Sequence, residues 1–378
     1  MKMTFQGSTW GTHFIIFSLL RAASVENPAA LNKLISHFAE DMSRLARNGV
    51  YNSIGARRVW IMHIGVKGDL PALAKIGALE RSFTRMARHV NGRARCPGIC
   101  WLCMAGKEGE TVEDSVAFEE FHAEAKWKGT MMLESPWSSL PPIMRGLPWT
   151  AGEEPSFLKT DLWHNWHNGL GKIWLACSFV MLATMDILQG GSIDAKFEEL
   201  TVEFLSWARR FRISPYLRQL NRDSFSFATN NSNPQGSWSK AAVTTQLMLF
   251  LSFFLEARVV GRTDDPILCG IATELLELHQ YAKGTQLMNI VLSVLYAEGY
   301  WIRGCTAKKM GLMMRSFLLT YQECAYSVCK EWLNRFILVP KAHMISHTAE
   351  GLIDDGTRCQ WAPSPLATSN QQSEDNIG

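Results

Sequence analysis

Cys96-Pro97-Gly98-Ile99-Cys100-Trp101-Leu102-Cys103 sets two thiols, Cys100 and Cys103, three residues apart, with Gly98 and Gly106 to bend the flanking backbone. That spacing is a half-site for a tetrahedral zinc. Cys100 follows Gly68-Asp69-Leu70-Pro71-Ala72 by 31 residues, and a second half-site, His343-Met344-Ile345-Ser346-His347, stands far down the chain. Imidazoles four residues apart on a helix share a face. If the thiols and imidazoles close on one ion, distant parts of the chain are stapled together.

Each motif also has a plainer reading. A single Cys-x-x-Cys pair can be redox-active or simply buried, and Cys96 is a spare candidate ligand. His164 and His167, in Asp161-Leu-Trp-His164-Asn-Trp-His167, lie three apart and compete with His343 and His347 for the metal. Either pair, taken alone, also fits hydrogen-bonded histidine on a half-buried helix. Asp69 stands where an apolar run ends and is suited to Mg²⁺, yet Asp69-Leu-Pro71 equally resembles a helix cap. Phosphoryl transfer by two metal ions needs at least two convergent carboxylates. Arg81, Arg85, Arg88, Arg93 and Arg95 form a basic stretch before the cysteines; Arg81, Arg85 and Arg88 would align on a helix, as a phosphate-binding face or a solvated one.

Outward from these motifs, the pattern is strand-like in Thr12–Leu20 and again in Arg58–Val66. Between them a helix is expected: Asn27 caps it, Pro28 suits its first turn, Leu31, Leu34, Ile35, Phe38, Met42 and Leu45 share one face, and Asn48-Gly49 ends it. Strand, helix, strand suggests a βαβ-like unit with Asp69 at a carboxyl end of a sheet. Residues 111–154 are rich in Pro, Trp, Glu and Ser and read as a linker. Helical periodicity then dominates, with Phe197, Leu200, Phe204, Trp207, Ala208 and Phe211 on one face.

Composition narrows the classes. An apolar content of 47% fits a packed core, and a net charge of +3 is too small to argue nucleic-acid binding on its own. Nine cysteines with one close pair suit a reducing compartment. The N-terminus imitates a secretory signal, but Arg21 interrupts it and a buried strand is preferred. The apolar runs 173–185 and 243–255 fall short of the roughly 18 to 20 residues a bilayer demands, which leaves a secreted or membrane-associated helical protein as the weakest reading.

Taken in order, these residues resemble the DDE/D transposases of the CACTA-like cut-and-paste group. Gly68-Asp69-Leu-Pro-Ala72 is similar to that group's second catalytic aspartate, and Cys100-x-x-Cys103 to its first zinc half-site. Asp161-x-x-His164 resembles its central signature, and Pro340-Lys-Ala-His343-x-x-x-His347 its second zinc half-site. Pro365-Leu-Ala to Ser373-Glu374-Asp375 resembles the stretch with the final catalytic glutamate, Glu374. Transposon-derived proteins of dinoflagellates share the likeness, including Trp238-Ser-Lys240.

The resemblance implies an α/β (α+β) fold with an RNase H-like core, residues 1–110 and 339–378, interrupted by the linker 111–154 and a helical insertion, 155–338. It implies structural Zn²⁺ on Cys100, Cys103, His343 and His347, and catalytic Mg²⁺ on Asp69 and Glu374 if the protein is active. DNA, contacted through Arg81 to Arg95, and a further copy of the chain are the expected partners, in the nucleus and without a membrane. One departure is serious: residues 1–25 contain no Asp or Glu to serve as the first catalytic aspartate. A relic, truncated or domesticated, is therefore expected, and the alternative is a non-catalytic zinc-stabilised DNA-binding or scaffold protein.

Overall fold

A computed structural model describes residues 27–52, 57–60, 65–84, 88–90, 92–185, 187–259, 284–298 and 302–354. Helices predominate and strands are short, an α+β composition. The first expected strand, Thr12–Leu20, lies outside the described residues, as do Arg85 and Glu374. Two compact units emerge, one of residues 27–120 and 124–161 and one made chiefly of the chain from Leu162 onward.

In the first unit the helix α1, Pro28–Asn48, forms where local chemistry predicts. The Asn27 carboxamide accepts from the Ala30 N–H at 3.2 Å, Pro28 occupies the first turn, and Gly49, at φ +65°, returns its N–H to Leu45. Ile35 and Ala39 are its most buried apolar side chains. After it the antiparallel hairpin β1, Val50–Asn52, and β2, Arg57–Val59, pairs Tyr51 with Arg58.

The single strand expected over Arg58–Val66 is therefore corrected. Arg57–Val59 belongs to the hairpin, whereas β3, Val66–Gly68, pairs in parallel with β6, Leu158–Thr160, in a different sheet. Apolar continuity of sequence concealed the change of partner. Asp69 ends β3 and opens the helix α2, Leu70–Ile76. A second hairpin, β4, Arg88–Val90, with β5, Arg93–Arg95, sets Arg88 opposite Arg95. Since 88–90 is a strand, the helical register that would align Arg81, Arg85 and Arg88 does not hold.

The second unit is helical. Its short α3, Leu162–Asn165, runs through a wide turn at Trp166–Leu170 into α4, Gly171–Thr184. Apolar on every side, α4 is buried along almost its whole length, as a helix without a polar face must be. Among the described residues no helix is long and apolar enough to cross a membrane. Around α4 pack α5, Ile193–Arg210, α6, Ala241–Arg258, α7, Thr285–Ala297, and α8, Gly304–Lys330. Phe204 of α5 meets Phe250 of α6 edge-on at 5.2 Å, and the Trp174 indole of α4 donates to Thr285 of α7 at 3.0 Å. Phe211 proves to lie just past α5 and half in solvent, not on its buried face.

The long α8 fixes the last helix, α9, Pro340–Asp354. Arg315 grips Glu350 through two hydrogen bonds, 2.9 and 2.6 Å, the bidentate geometry that a guanidinium favours. Gly311 permits close approach, since a Cβ there would stand 2.5 Å from the Ala349 carbonyl oxygen. At the other end of α9 the Lys341 ammonium donates to the Asn168 carbonyl at 2.7 Å.

Burial in this unit predicts thiol reactivity. Cys177 accepts from the Phe336 N–H at 3.2 Å, and desolvation pushes its thiol up to about 12. Cys305 and Cys329 are exposed. Brief iodoacetamide treatment of native protein should label Cys305 and Cys329 and spare Cys177, as read by peptide mass spectrometry.

Candidate metal centre

The cysteine half-site is a tight turn tied down from several directions. The Ile99 N–H donates to the Ala105 carbonyl at 2.8 Å, and Gly98, at φ +116°, takes a conformation that side chains resist. Within the turn the N–H of Leu102 points at the Cys100 sulfur, 3.3 Å, and that of Ala105 at the Cys103 sulfur, 3.5 Å. Such N–H groups stabilise negative charge on sulfur. Cys100 and Cys103 are both fully buried.

Arg81 sits behind this turn, only 4% exposed. It donates to the Cys100 carbonyl at 2.7 Å, the Trp101 carbonyl at 3.5 Å and the Glu134 carbonyl at 2.8 Å. Its expected place on a DNA-facing surface is corrected: the guanidinium is spent on main-chain carbonyls inside the fold. No local signal in the sequence separates Arg81 from the arginines after it. The Trp101 indole, donating to Leu158 at 3.3 Å, ties the turn to β6.

The histidine half-site lies on α9, where His343 and His347 are buried one helical turn apart. Their Nε2 atoms are 3.0 Å from each other and the rings are edge-to-face at 4.6 Å. Ligand atoms of Cys100, Cys103, His343 and His347 all fall within 4.8 Å of one another, and all four residues are buried. A tetrahedral zinc with Zn–S about 2.3 Å and Zn–N about 2.0–2.1 Å would set its ligand atoms roughly 3.3–3.8 Å apart, so these donors fit it after small shifts, the two imidazole nitrogens spreading slightly from 3.0 Å and the widest pairs closing in. Two thiolates and two imidazoles are also a donor set that zinc prefers.

His164 and His167 are not in this group. His167 directs Nε2 at both Thr245 Oγ1 and the Tyr296 hydroxyl, 3.1 Å each, and stacks on Trp163 at 4.0 Å. His164 is half-buried on α3.

Burial, reinforced by Cys100 alongside, pushes the Cys103 thiol well above the usual thiol range. Without metal that thiol therefore holds its proton, and metal uptake must release it. The sign follows directly: zinc affinity should rise with pH, about tenfold per unit for each proton released, as competition with a chelator across pH 6–8 would measure.

Elsewhere the acidic candidates are engaged. Asp69 accepts from the Ala72 N–H at 2.7 Å, so its carboxylate caps α2. Asp161, directly after β6, is buried with the Lys67 ammonium 3.3 Å away. Because Gly68 is in register with Thr160, Asp69 and Asp161 follow the carboxyl ends of adjacent parallel strands. Arg95 reaches Glu110 at 3.4 Å. Comparison with family models, with curated proteins and with solved structures finds no match to this chain.

Proposed function

We propose that the chain is a transposon-derived, transposase-like protein that holds one structural zinc ion and binds DNA without cutting it. One observation carries this reading: Cys100, Cys103, His343 and His347, the residues that the resemblance pairs in this order, place four buried ligand atoms within 4.8 Å. A full set of four protein donors leaves no open position for water or substrate, which is the mark of a structural rather than a catalytic zinc. Bound there, zinc supplies the positive charge that lets two buried thiols ionise and ties four side chains to one point.

The RNase H-like core and the nuclear setting belong to the same proposal. The parallel pair β3 and β6, with an aspartate after each, supports such a core, since open α/β folds place their sites at carboxyl ends of strands. Cleavage is disfavoured by what those aspartates do. The Lys67 ammonium, 3.3 Å from the Asp161 carboxylate, already balances its charge, and Asp69 commits one oxygen to its helix. DNA contact then falls to the stretch that forms the hairpin β4–β5, whose sequence carries Arg88, Arg93 and Arg95 within eight residues.

Metal analysis of protein purified without chelator should return one zinc per chain; none would overturn the structural-zinc reading. Incubation of the same protein with plasmid DNA and Mg²⁺ or Mn²⁺ should leave the DNA intact. Nicking that disappears in Asp69→Asn would overturn the non-cleaving role.

A further inference from the structure

Between α1 and the proline-rich stretch around Pro148 the first unit opens a cleft of about 600 Å³, lined among others by Ser43, Arg47, Trp60, Gly146, Pro148 and Trp149. A pocket of this size suits a small planar ligand. Trp60 is 59% exposed and Trp149 37%, although indoles are ordinarily well covered. Two open indoles on one cleft with a guanidinium between helix and loop form a stacking platform with a cationic partner.

Charge points the same way. From 42 to 68 the sequence has no Asp or Glu and five Lys or Arg, of which Arg44 pairs with Asp41 and Lys67 with Asp161, leaving Arg47, Arg57 and Arg58; from 135 to 152 it has one Arg and no acid. None of the residues that line the cleft carries a carboxylate, and Asp41 nearby on α1 is paired with Arg44. Arg47 and Arg58 each spend one N–H on a main-chain carbonyl, Ser43 and Asn48, which leaves further N–H groups of each guanidinium for a ligand. Tyr51 and Arg57 are exposed on the adjoining hairpin. A positively charged ligand is disfavoured here, and a proline-rich peptide would leave the arginines unused. Aromatic faces interleaved with unneutralised arginine match a base and its phosphate.

We infer that this cleft takes an unpaired nucleotide of a single nucleic-acid strand, its base against Trp60 and Trp149 and its phosphate on Arg47. The inference deepens the DNA-binding part of the proposal above: it names a strand-binding surface distinct from the hairpin β4–β5, and it does not depend on the zinc.

The test uses the full zinc-loaded chain with a fluorescein-labelled oligo-dT 12-mer, read by anisotropy. Trp60→Ala and Trp149→Ala should each weaken binding about tenfold or more, and Trp60→Phe should recover most of the loss, because any aromatic face can stack. Arg47→Gln should lower the salt slope by about 0.7. Trp332→Ala, at a 93% exposed indole outside the cleft, should change nothing. Both cleft tryptophans are open enough that these variants should fold, which circular dichroism checks.

Unchanged oligo-dT affinity in both Trp→Ala variants would overturn the inference. So would binding of thymidine monophosphate without oligo-dT, duplex preferred over single strand, or tryptophan quenching by a proline decapeptide but not by oligo-dT. Zinc measured in the same samples separates the two readings: tryptophan-dependent strand binding by metal-free protein would uphold this one while the structural-zinc reading fell.

Discussion

Replacing His343 or Cys103 by alanine should remove zinc from the protein and destabilise it by several kcal/mol. The size of the effect follows from burial. His343 and Cys103 are both fully enclosed, so truncating either breaks a closed set of four donors and leaves the other three lining a buried void. Structural zinc sites in small domains contribute roughly 10–16 kcal/mol of apparent binding energy at neutral pH, and much of it becomes folding free energy. Even a modest fraction exceeds what a typical substitution costs. Urea denaturation of the wild type, with and without a strong chelator, gives the reference. The variants should unfold at the chelated wild-type midpoint and show no further response to chelator. His164→Ala should keep its zinc, because His164 is not among the four clustered donors.

The second large effect is expected at Arg81, a residue that touches no ligand atom. Alanine there would strip the N–H donors from the carbonyls of Cys100, Trp101 and Glu134 inside the fold. Each buried carbonyl left without a partner costs roughly 1–3 kcal/mol, so three sum to about 3–9 kcal/mol, and the long 3.5 Å bond to Trp101 places the expectation in the lower half of that range. Zinc affinity should fall as well, since the turn that holds Cys100 loses its backing. Arg81→Lys should recover only part, because one ammonium cannot reach three carbonyls with the geometry of a planar fork. A loss confined to DNA binding, with stability and zinc content unchanged, would return Arg81 to the surface role its sequence neighbours suggest.

Local chemistry was legible in the sequence wherever it sufficed to decide the structure. Asn27, Pro28 and Gly49 bracket α1 by capping, fixed φ and a left-handed stop, and each works within a few residues of itself. The Cys100 and Cys103 turn was legible for the same reason, since two sulfurs three apart need only a bend. Choice among distant partners was not. Both histidine pairs are nearly co-facial on a helix, and only the long-range placement of Thr245 and Tyr296 against His167 shows which pair is otherwise employed. Arg81 looks like its neighbours until three carbonyls converge on it. The run from Arg58 to Val66 reads as one strand because its ends are apolar alike, while the hairpin and the parallel pair are chosen by residues 50–52 and 158–160. The open indoles of Trp60 and Trp149 could not have been found at all, because tryptophan in a sequence ordinarily signals core.

The separation of 240 positions from Cys103 to His343 also sets an order of events during synthesis. At roughly 5–20 residues per second, the imidazoles leave the ribosome roughly 12 to 48 seconds after the thiols. Throughout that interval a nascent chain offers Cys100 and Cys103 without the two histidines that complete their site, open to oxidation or to capture by other soft metals. Zinc supply when His343 and His347 emerge, together with protection of the thiols until then, should therefore govern how much protein matures.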